Sequence, residues 1–225
     1  MVQCQYCKVH LPQPDAISND GRFYCSKDHL SLLDEQGWIG AAAWRISPNK
    51  DARPDEVKPD LLVIHHISLP PSEFKRQASS QHIVNFFQNT LDPNVHPYFS
   101  QIANQKVSSH FFITRTGELI QFVSTRDRAW HAGVSNFMGR ERCNDFSIGV
   151  ELEGDGDTPF EDLQYQSLAR LVQKLRLTYP NLQFAGHSDI APDRKTDPGK
   201  YFDWKKFQKE TGISEEKIPY GVVSR

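Results

Sequence analysis

A histidine, a lysine and an aspartate fall within eleven residues in the stretch Gly186-His187-Ser188-Asp189-Ile190-Ala191-Pro192-Asp193-Arg194-Lys195-Thr196-Asp197-Pro198-Gly199. Imidazole and carboxylate are donors that zinc takes, and a catalytic zinc uses three protein ligands while leaving a position open for water. Lys195 and Asp197 are separated by one residue ahead of a Pro-Gly turn signal, so extended backbone there aims both side chains the same way. The segment supplies half of a metal site. The rest has to come from another element.

The best source is a strand that ends in histidine. Leu61-Leu62-Val63-Ile64-His65-His66 is an apolar, branched run that reads as a buried strand whose polar end emerges at a site. Neighbours on a strand face opposite sides, so at most one of His65 and His66 can turn to a metal. A second strand, from Phe146 to Gly154, alternates Ile148, Val150 and Leu152 with Ser147, Gly149, Glu151 and Glu153. One of its faces is apolar and the other ends in carboxylates. A glutamate there, beside a water activated by a metal, is the residue type that general base work needs.

These residues, set in Val63-Ile64-His65-His66-Ile67-Ser68-Leu69-Pro70-Pro71, Gly139-Arg140-Glu141-Arg142-Cys143-Asn144-Asp145-Phe146 and the stretch from Gly186, resemble the AmpD-type N-acetylmuramoyl-L-alanine amidases. The likeness runs from about Leu33 to about Phe207. It implies an α/β (α+β) fold of the peptidoglycan recognition protein-like kind, a mixed central sheet flanked by helices with the metal where several strands end. It also implies one catalytic zinc held by His65, His187 and Asp197, with Glu151 as base and Lys195 stabilising the oxyanion. The implied reaction is hydrolysis of the amide between the lactyl group of 1,6-anhydro-N-acetylmuramic acid and L-alanine of the stem peptide. An anhydromuropeptide is therefore the implied substrate, and cytoplasmic peptidoglycan recycling the implied setting.

For the substrate pocket the resemblance implies Arg142 on the sugar or its lactyl peptide, through the fixed donor fork of a guanidinium. It adds Trp130, whose ring suits a sugar face, and Tyr98. Two positions depart from the family pattern. His66 stands where asparagine is common, as a different hydrogen-bond donor or a second ligand, and Lys106 stands where arginine is usual, which keeps the charge and loses the planar fork. The rival reading is a non-catalytic peptidoglycan-binding module of the same fold. Such modules tend to lack the zinc ligands, which are all present here.

Residues 1 to about 30 read as a separate zinc-ribbon-like module. Cys4-x2-Cys7 and Cys25-x3-His29 flank a turn at Asn19-Asp20-Gly21, and three thiolates with one imidazole can close a second, structural zinc site. His10 is a competing ligand with looser spacing. Too few apolar residues occur here to make a core, so metal would supply much of the folding energy. The module is a candidate adaptor for a protein partner. Lys8 and Lys27 alone make a thin footprint for nucleic acid.

The chain has 225 residues, 26 basic and 28 acidic, for a formal net charge of -2. That length suits one substantial domain, 31–212, beside the small module, with 213–225 as a tail. The charge balance offers no global attraction to polyanions. No apolar run is long enough for a membrane span and no secretory signal opens the sequence, so the expectation is a cytoplasmic, monomeric protein.

Other elements follow from local pattern. The spacing predicts a short helix over 29–37 stopped by Gly37, a loop over 46–59, a loop from Ile67 to Lys75 and a helix over 81–89. A hairpin joins 107–114 to 118–123, with His110 as a core histidine bonded to backbone. A long helix starts with Thr158 as cap and Pro159 at its first position, and carries Leu163, Leu168, Leu171, Val172 and Leu175 inward. Cys143 reads as a small buried residue, and a last helix over 203–210 stops near Gly212.

Overall fold

The computed structural model describes residues 1–74 and 78–222. At the start of the chain β1 (Val2–Gln3) pairs antiparallel with β2 (His10–Leu11), and β3 (Ile17–Asn19) with β4 (Arg22–Tyr24). Asp20 and Gly21 both take positive φ between β3 and β4, as the tight hairpin turn that follows strand twist requires. The helix that follows, α1 (Lys27–Ser31), begins earlier than Gly37 suggests and is short. The Ser26 side chain caps it by accepting from the His29 N–H at 3.1 Å. Gly37 lies instead at φ 81° in a turn closed by a bridge between Leu33 and Ile39.

The larger part of the chain opens with β5 (Ala43–Trp44) and β6 (Lys50–Ala52), the latter inside the stretch expected as loop. There follow β7 (Leu61–Ile67), α2 (Ala78–Phe87), α3 (Phe99–Ile102), β8 (Phe111–Ile113), β9 (Leu119–Gln121) and β10 (Asp127–Ala129). Pairing with β10 is what makes β6 a strand. Of the loop expected after β7, Lys75 lies outside the described residues. A hairpin of β11 (Asn136–Phe137) and β12 (Arg140–Glu141) then leads to β13 (Ser147–Glu153), α4 (Asp162–Thr178), β14 (Gln183–Gly186), α5 (His187–Ile190) and α6 (Trp204–Thr211).

Six strands form one mixed sheet in the order β14-β7-β13-β8-β9-β5. The first four run parallel, β9 returns antiparallel to β8, and β5 runs parallel to β9. Period-two alternation sorts the side chains. Leu62 and Ile64 of β7 and Ile148, Val150 and Leu152 of β13 pack with Leu168, Leu171, Val172 and Leu175 of α4. The intervening residues Leu61 and Val63 face the other side, with Ala132 and Ile190. His65 continues that second parity and Glu151 continues that of Ser147 and Gly149, which leaves both on the face away from α4.

Three expectations need correction. The cap of α4 is Glu161, not Thr158: Gln164 Oε1 accepts from the Glu161 N–H at 3.0 Å, while the Thr158 N–H is taken by Asp155 Oδ1 at 2.9 Å. Leu163 is therefore on the outer side of the first turn and 51% exposed, with Gln164 and Tyr165 inside. Residues after Ile213 do not hang free as far as they are described, since Ile213 and Ile218 are buried in the core that α4 and α6 share.

The N-terminal hairpins sit on the chain entering β5. Asn19 Nδ2 donates to the Gly40 carbonyl at 2.8 Å and Arg22 to the Ala42 carbonyl at 3.0 Å. The Arg22 guanidinium lies 3.6 Å above the Trp44 ring. A side chain at Gly40 would meet the Tyr24 ring at 2.5 Å, so glycine is what lets the two units approach here.

Candidate active site

Strand register assembles the site. The parallel pairing of β13 with β7 sets Glu151 beside His65, and the pairing of β14 with β7 sets Gly186 beside Ile64. His187, the next residue, thus emerges at the same sheet edge. Three adjacent parallel strands carry His65 and Glu151 two residues before their ends and His187 just after, and the carboxyl ends of such strands are where open α/β sheets hold ligands. Asp197 is brought back by the turn after α5, with the Ser188 N–H donating to its carbonyl at 2.8 Å.

Asp197 Oδ2 lies 2.9 Å from His65 Nδ1 and 3.0 Å from His187 Nδ1, and the two imidazole nitrogens are 3.0 Å apart. Three lone pairs converge on one point, and a single shared proton cannot serve them all. A divalent ion bound at about 2.0–2.2 Å from each suits that triangle, and two imidazoles with one carboxylate is a donor set of catalytic zinc. Each ligand's remaining nitrogen is engaged: His187 Nε2–H donates to the Ala132 carbonyl, and His65 Nε2 meets His131 Nδ1, both at 3.0 Å.

Burial, then the neighbouring His187, pushes His65 down to about 4 against the pull of Asp197. The ring is neutral, as a ligand must be. Burial works against an ionised Asp197, but its bonds to His187 and His65 prevail and hold the carboxyl well below the usual range. Glu151 is displaced the other way, well above its ordinary value, by burial and then by Asp197, with Lys195 opposing. Its Oε2 is buried and has no hydrogen-bond partner among the described residues. A buried, unsatisfied carboxyl oxygen lining the same cavity as the three donors is a candidate proton acceptor.

His65, Glu151, Lys195 and Asp197 line one cavity of about 380 Å³, together with Tyr98 and Trp130. The arrangement sets three donors that could hold a metal, a buried carboxyl group and a lysine around one cavity.

The family model for N-acetylmuramoyl-L-alanine amidases matches residues 55–200. The chain belongs to that family. Among curated relatives, the 1,6-anhydro-N-acetylmuramyl-L-alanine amidase AmpD of Salmonella typhimurium strain SL1344 is 50% identical over 188 residues, 83% of this chain and 98% of that protein. A crystal structure of a selenomethionine AmpD derivative aligns with a TM-score of 0.76 at 51% identity, covering 80% of this chain and 98% of that one. AmpDh3 from Pseudomonas aeruginosa, solved in complex with anhydromuramic pentapeptide, aligns with a TM-score of 0.51 at 27% identity, covering 70% and 61%.

In this amidase the remaining residues singled out from sequence are dispersed. His66 lines the cavity but faces the opposite side of β7 from His65, donating from Nδ1 to the Pro198 carbonyl at 3.2 Å. Trp130 donates from Nε1 to Asp51 at 3.2 Å and keeps a face to the cavity. Lys106 is exposed between Gln105 and Val107, which line the cavity while Lys106 does not. Arg142 has a side chain 72% exposed, pairs with Asp145 at 3.1 Å, and lines a separate cavity with Glu141, Val134 and Pro192.

One residue at the site was passed over. His131 lies between Trp130 and Ala132, and its Nδ1 stands 3.0 Å from His65 Nε2. The signal for it was Gly149, since a glycine inside a buried strand marks a close approach by another group. His110 does behave as a core histidine: it accepts from the Gly149 N–H at 3.0 Å and donates to the Asp127 carbonyl at 3.1 Å.

The second cluster joins Cys4, Cys7, Cys25 and His29, with all four ligand atoms within 4.8 Å of one another. Cys7 Sγ to Cys25 Sγ is 3.7 Å and Cys25 Sγ to His29 Nδ1 is 3.0 Å. Thiolates at about 2.3 Å from a tetrahedral zinc stand at such separations. His10 is exposed on β2 and outside the cluster.

Proposed function

We propose that this amidase hydrolyses the amide between N-acetylmuramic acid, in its 1,6-anhydro form, and L-alanine of the stem peptide, acting in cytoplasmic peptidoglycan recycling. The observation that carries the reading is the convergence of His65, His187 and Asp197 at 2.9–3.0 Å beside a buried, unpartnered Glu151. A chain about half identical to an anhydromuramyl-L-alanine amidase over nearly all of that relative's length supports the substrate. AmpDh3, solved with an anhydromuramic pentapeptide, supports it from a more distant relative. A non-catalytic binding module is not favoured, because it leaves the ligand triangle and Glu151 without a purpose.

His65, His187 and Asp197 hold zinc, which when bound supplies Lewis acidity towards a water and the scissile carbonyl. Glu151 takes a proton from the attacking water and delivers it to the departing L-alanine nitrogen. The Lys195 ammonium offsets the negative charge that grows on the carbonyl oxygen, a contribution of about 3 kcal/mol where such groups have been removed in other enzymes. Tyr98 and Trp130 wall the pocket on the sugar side, His66 borders it across β7, Lys106 acts from beside its wall residues Gln105 and Val107, and Arg142 serves parts of the substrate that reach the separate cavity it lines. Residues 1–30 form a module closed by a second zinc on Cys4, Cys7, Cys25 and His29, followed by the amidase domain over 31–212. No helix among the described residues is long and apolar enough to cross a membrane, which suits the recycling role.

The test is mass spectrometry of products after incubating zinc-loaded protein with anhydromuramoyl tripeptide, with Asp197→Ala as control. Free tripeptide from the unaltered chain alone is the expected result. Intact substrate, with zinc bound and ligand engaged, would overturn the assignment.

A further inference from the structure

We infer that His131 and Asn144 are positioning residues for the two metal-ligating imidazoles, and that the dipeptide His131-Ala132 braces both at once. The inference rests on the assignment of His65 and His187 as ligands. With its Nδ1 lone pair given to the metal, His65 carries its proton on Nε2, 3.0 Å from His131 Nδ1. His131 accepts there and donates from Nε2 to Ser147 Oγ at 3.2 Å, which fixes its tautomer as well. The adjacent residue serves the other ligand, because the Ala132 carbonyl accepts from His187 Nε2 at 3.0 Å.

A single side chain sets the backbone of this dipeptide. Asn144 Oδ1 accepts from the His131 N–H at 3.2 Å and the Ala132 N–H at 2.8 Å. Arg194 adds a donor to the Ala132 carbonyl at 2.7 Å from the segment that carries Lys195. The ring of His131 has room because position 149 is glycine: a Cβ there would stand 2.5 Å from His131 Cγ. An imidazole ligand turns easily about its Cβ–Cγ bond, and a partner on its far nitrogen holds ring plane and tautomer. Here both partners come from consecutive residues hung on one amide, so a shift of that amide misaims both ligands together.

The experiment measures zinc affinity of the full chain by competition with a chromophoric chelator, with Asp197→Ala defining loss of the catalytic-site ion. The same variants are then read by visible absorption after cobalt loading. His131→Leu removes the acceptor, while His131→Asn keeps one where Nδ1 stood. Asn144→Leu and Asn144→Asp make the matching pair one step further out. The brace predicts a loss of about 10–100-fold in catalytic-site affinity for both leucine variants, with altered cobalt d–d bands. His131→Asn and Asn144→Asp recover most of it. If Asn144→Leu does not fold, the His131 pair decides. Affinity in His131→Leu equal to that of the unaltered chain, where Asp197→Ala has lost the ion, overturns the brace and leaves the ligand assignment standing. Retention of the ion by Asp197→Ala overturns the ligand assignment and the brace with it.

Discussion

The two ligand clusters of this chain are built in opposite ways. Cys4, Cys7 and Cys25 come from the ends of neighbouring hairpins of two or three residues per strand and His29 from the short helix α1, and of the four only Cys4 is buried. His65, His187 and Asp197 come from segments up to 132 residues apart, and a six-stranded sheet aims them. On the assignment proposed above, an ion at the first cluster would stand in for a core where the fold is thin, and an ion at the second would serve as a reagent where the fold is thick.

That contrast breaks most easily at the first cluster. Cys25→Ser removes a donor from the proposed structural site, and structural zinc in zinc-finger peptides contributes an apparent binding free energy of roughly 10–16 kcal/mol. Amide exchange is expected to become fast across residues 1–31 and stay slow in β7 and β13. Loss of protection in the sheet as well would mean that the module is part of the main fold. At the second cluster Glu151→Gln should lower kcat by about 10²–10⁴-fold with zinc content at both sites unchanged, as steady-state rates and metal analysis would show.

Packing sharpens the difference further. Leu168→Ala, in the core shared by sheet and α4, is expected to cost about 2–5 kcal/mol in denaturant unfolding. Leu163→Ala, on the exposed first turn, should stay within about 0.5 kcal/mol. Acid acts on the thick region too. Burial is the leading cause that holds His65, His110 and His131 below the ordinary imidazole value. The unfolded chain takes up protons at these positions near pH 6.5, whereas the folded chain does not. In metal-free protein the stability present above that pH is lost as pH falls towards 4, by up to about 1.4 kcal/mol per unit for each histidine. A thermal midpoint that is flat from pH 7 to 5 would contradict this. The smallest effect belongs to the cap of α1, where Ser26→Ala should cost the N-terminal module about 1 kcal/mol, read by zinc titration of the full chain.

What could be read from residues alone followed from how local the cause was. Alternation in Leu61 to Ile67 and Ser147 to Glu153 is local, so both site strands and the split between His65 and His66 were legible. Pairing partners are not local: β6 looks like loop until β10 lies beside it, and Ile218 looks like tail until the core it enters is seen. Thr158 reads as the cap of α4 until Glu161 is seen in that place, with Gln164 Oε1 on its N–H. His131 was missed because its role depends on a ring 66 residues away.

The spread of the ligands along the chain also sets an order in time. The Cys/His set is complete once residue 29 has been made, so it can take its ion while most of the protein is still being synthesised. The His/Asp set is incomplete until residue 197, roughly ten to thirty seconds later at about 5–20 residues per second. During that interval His65 waits on an unfinished sheet, because β14 has yet to be made and placed beside it. On the proposed assignment the reactive ion is thus loaded last, into a chain whose synthesis is nearly complete.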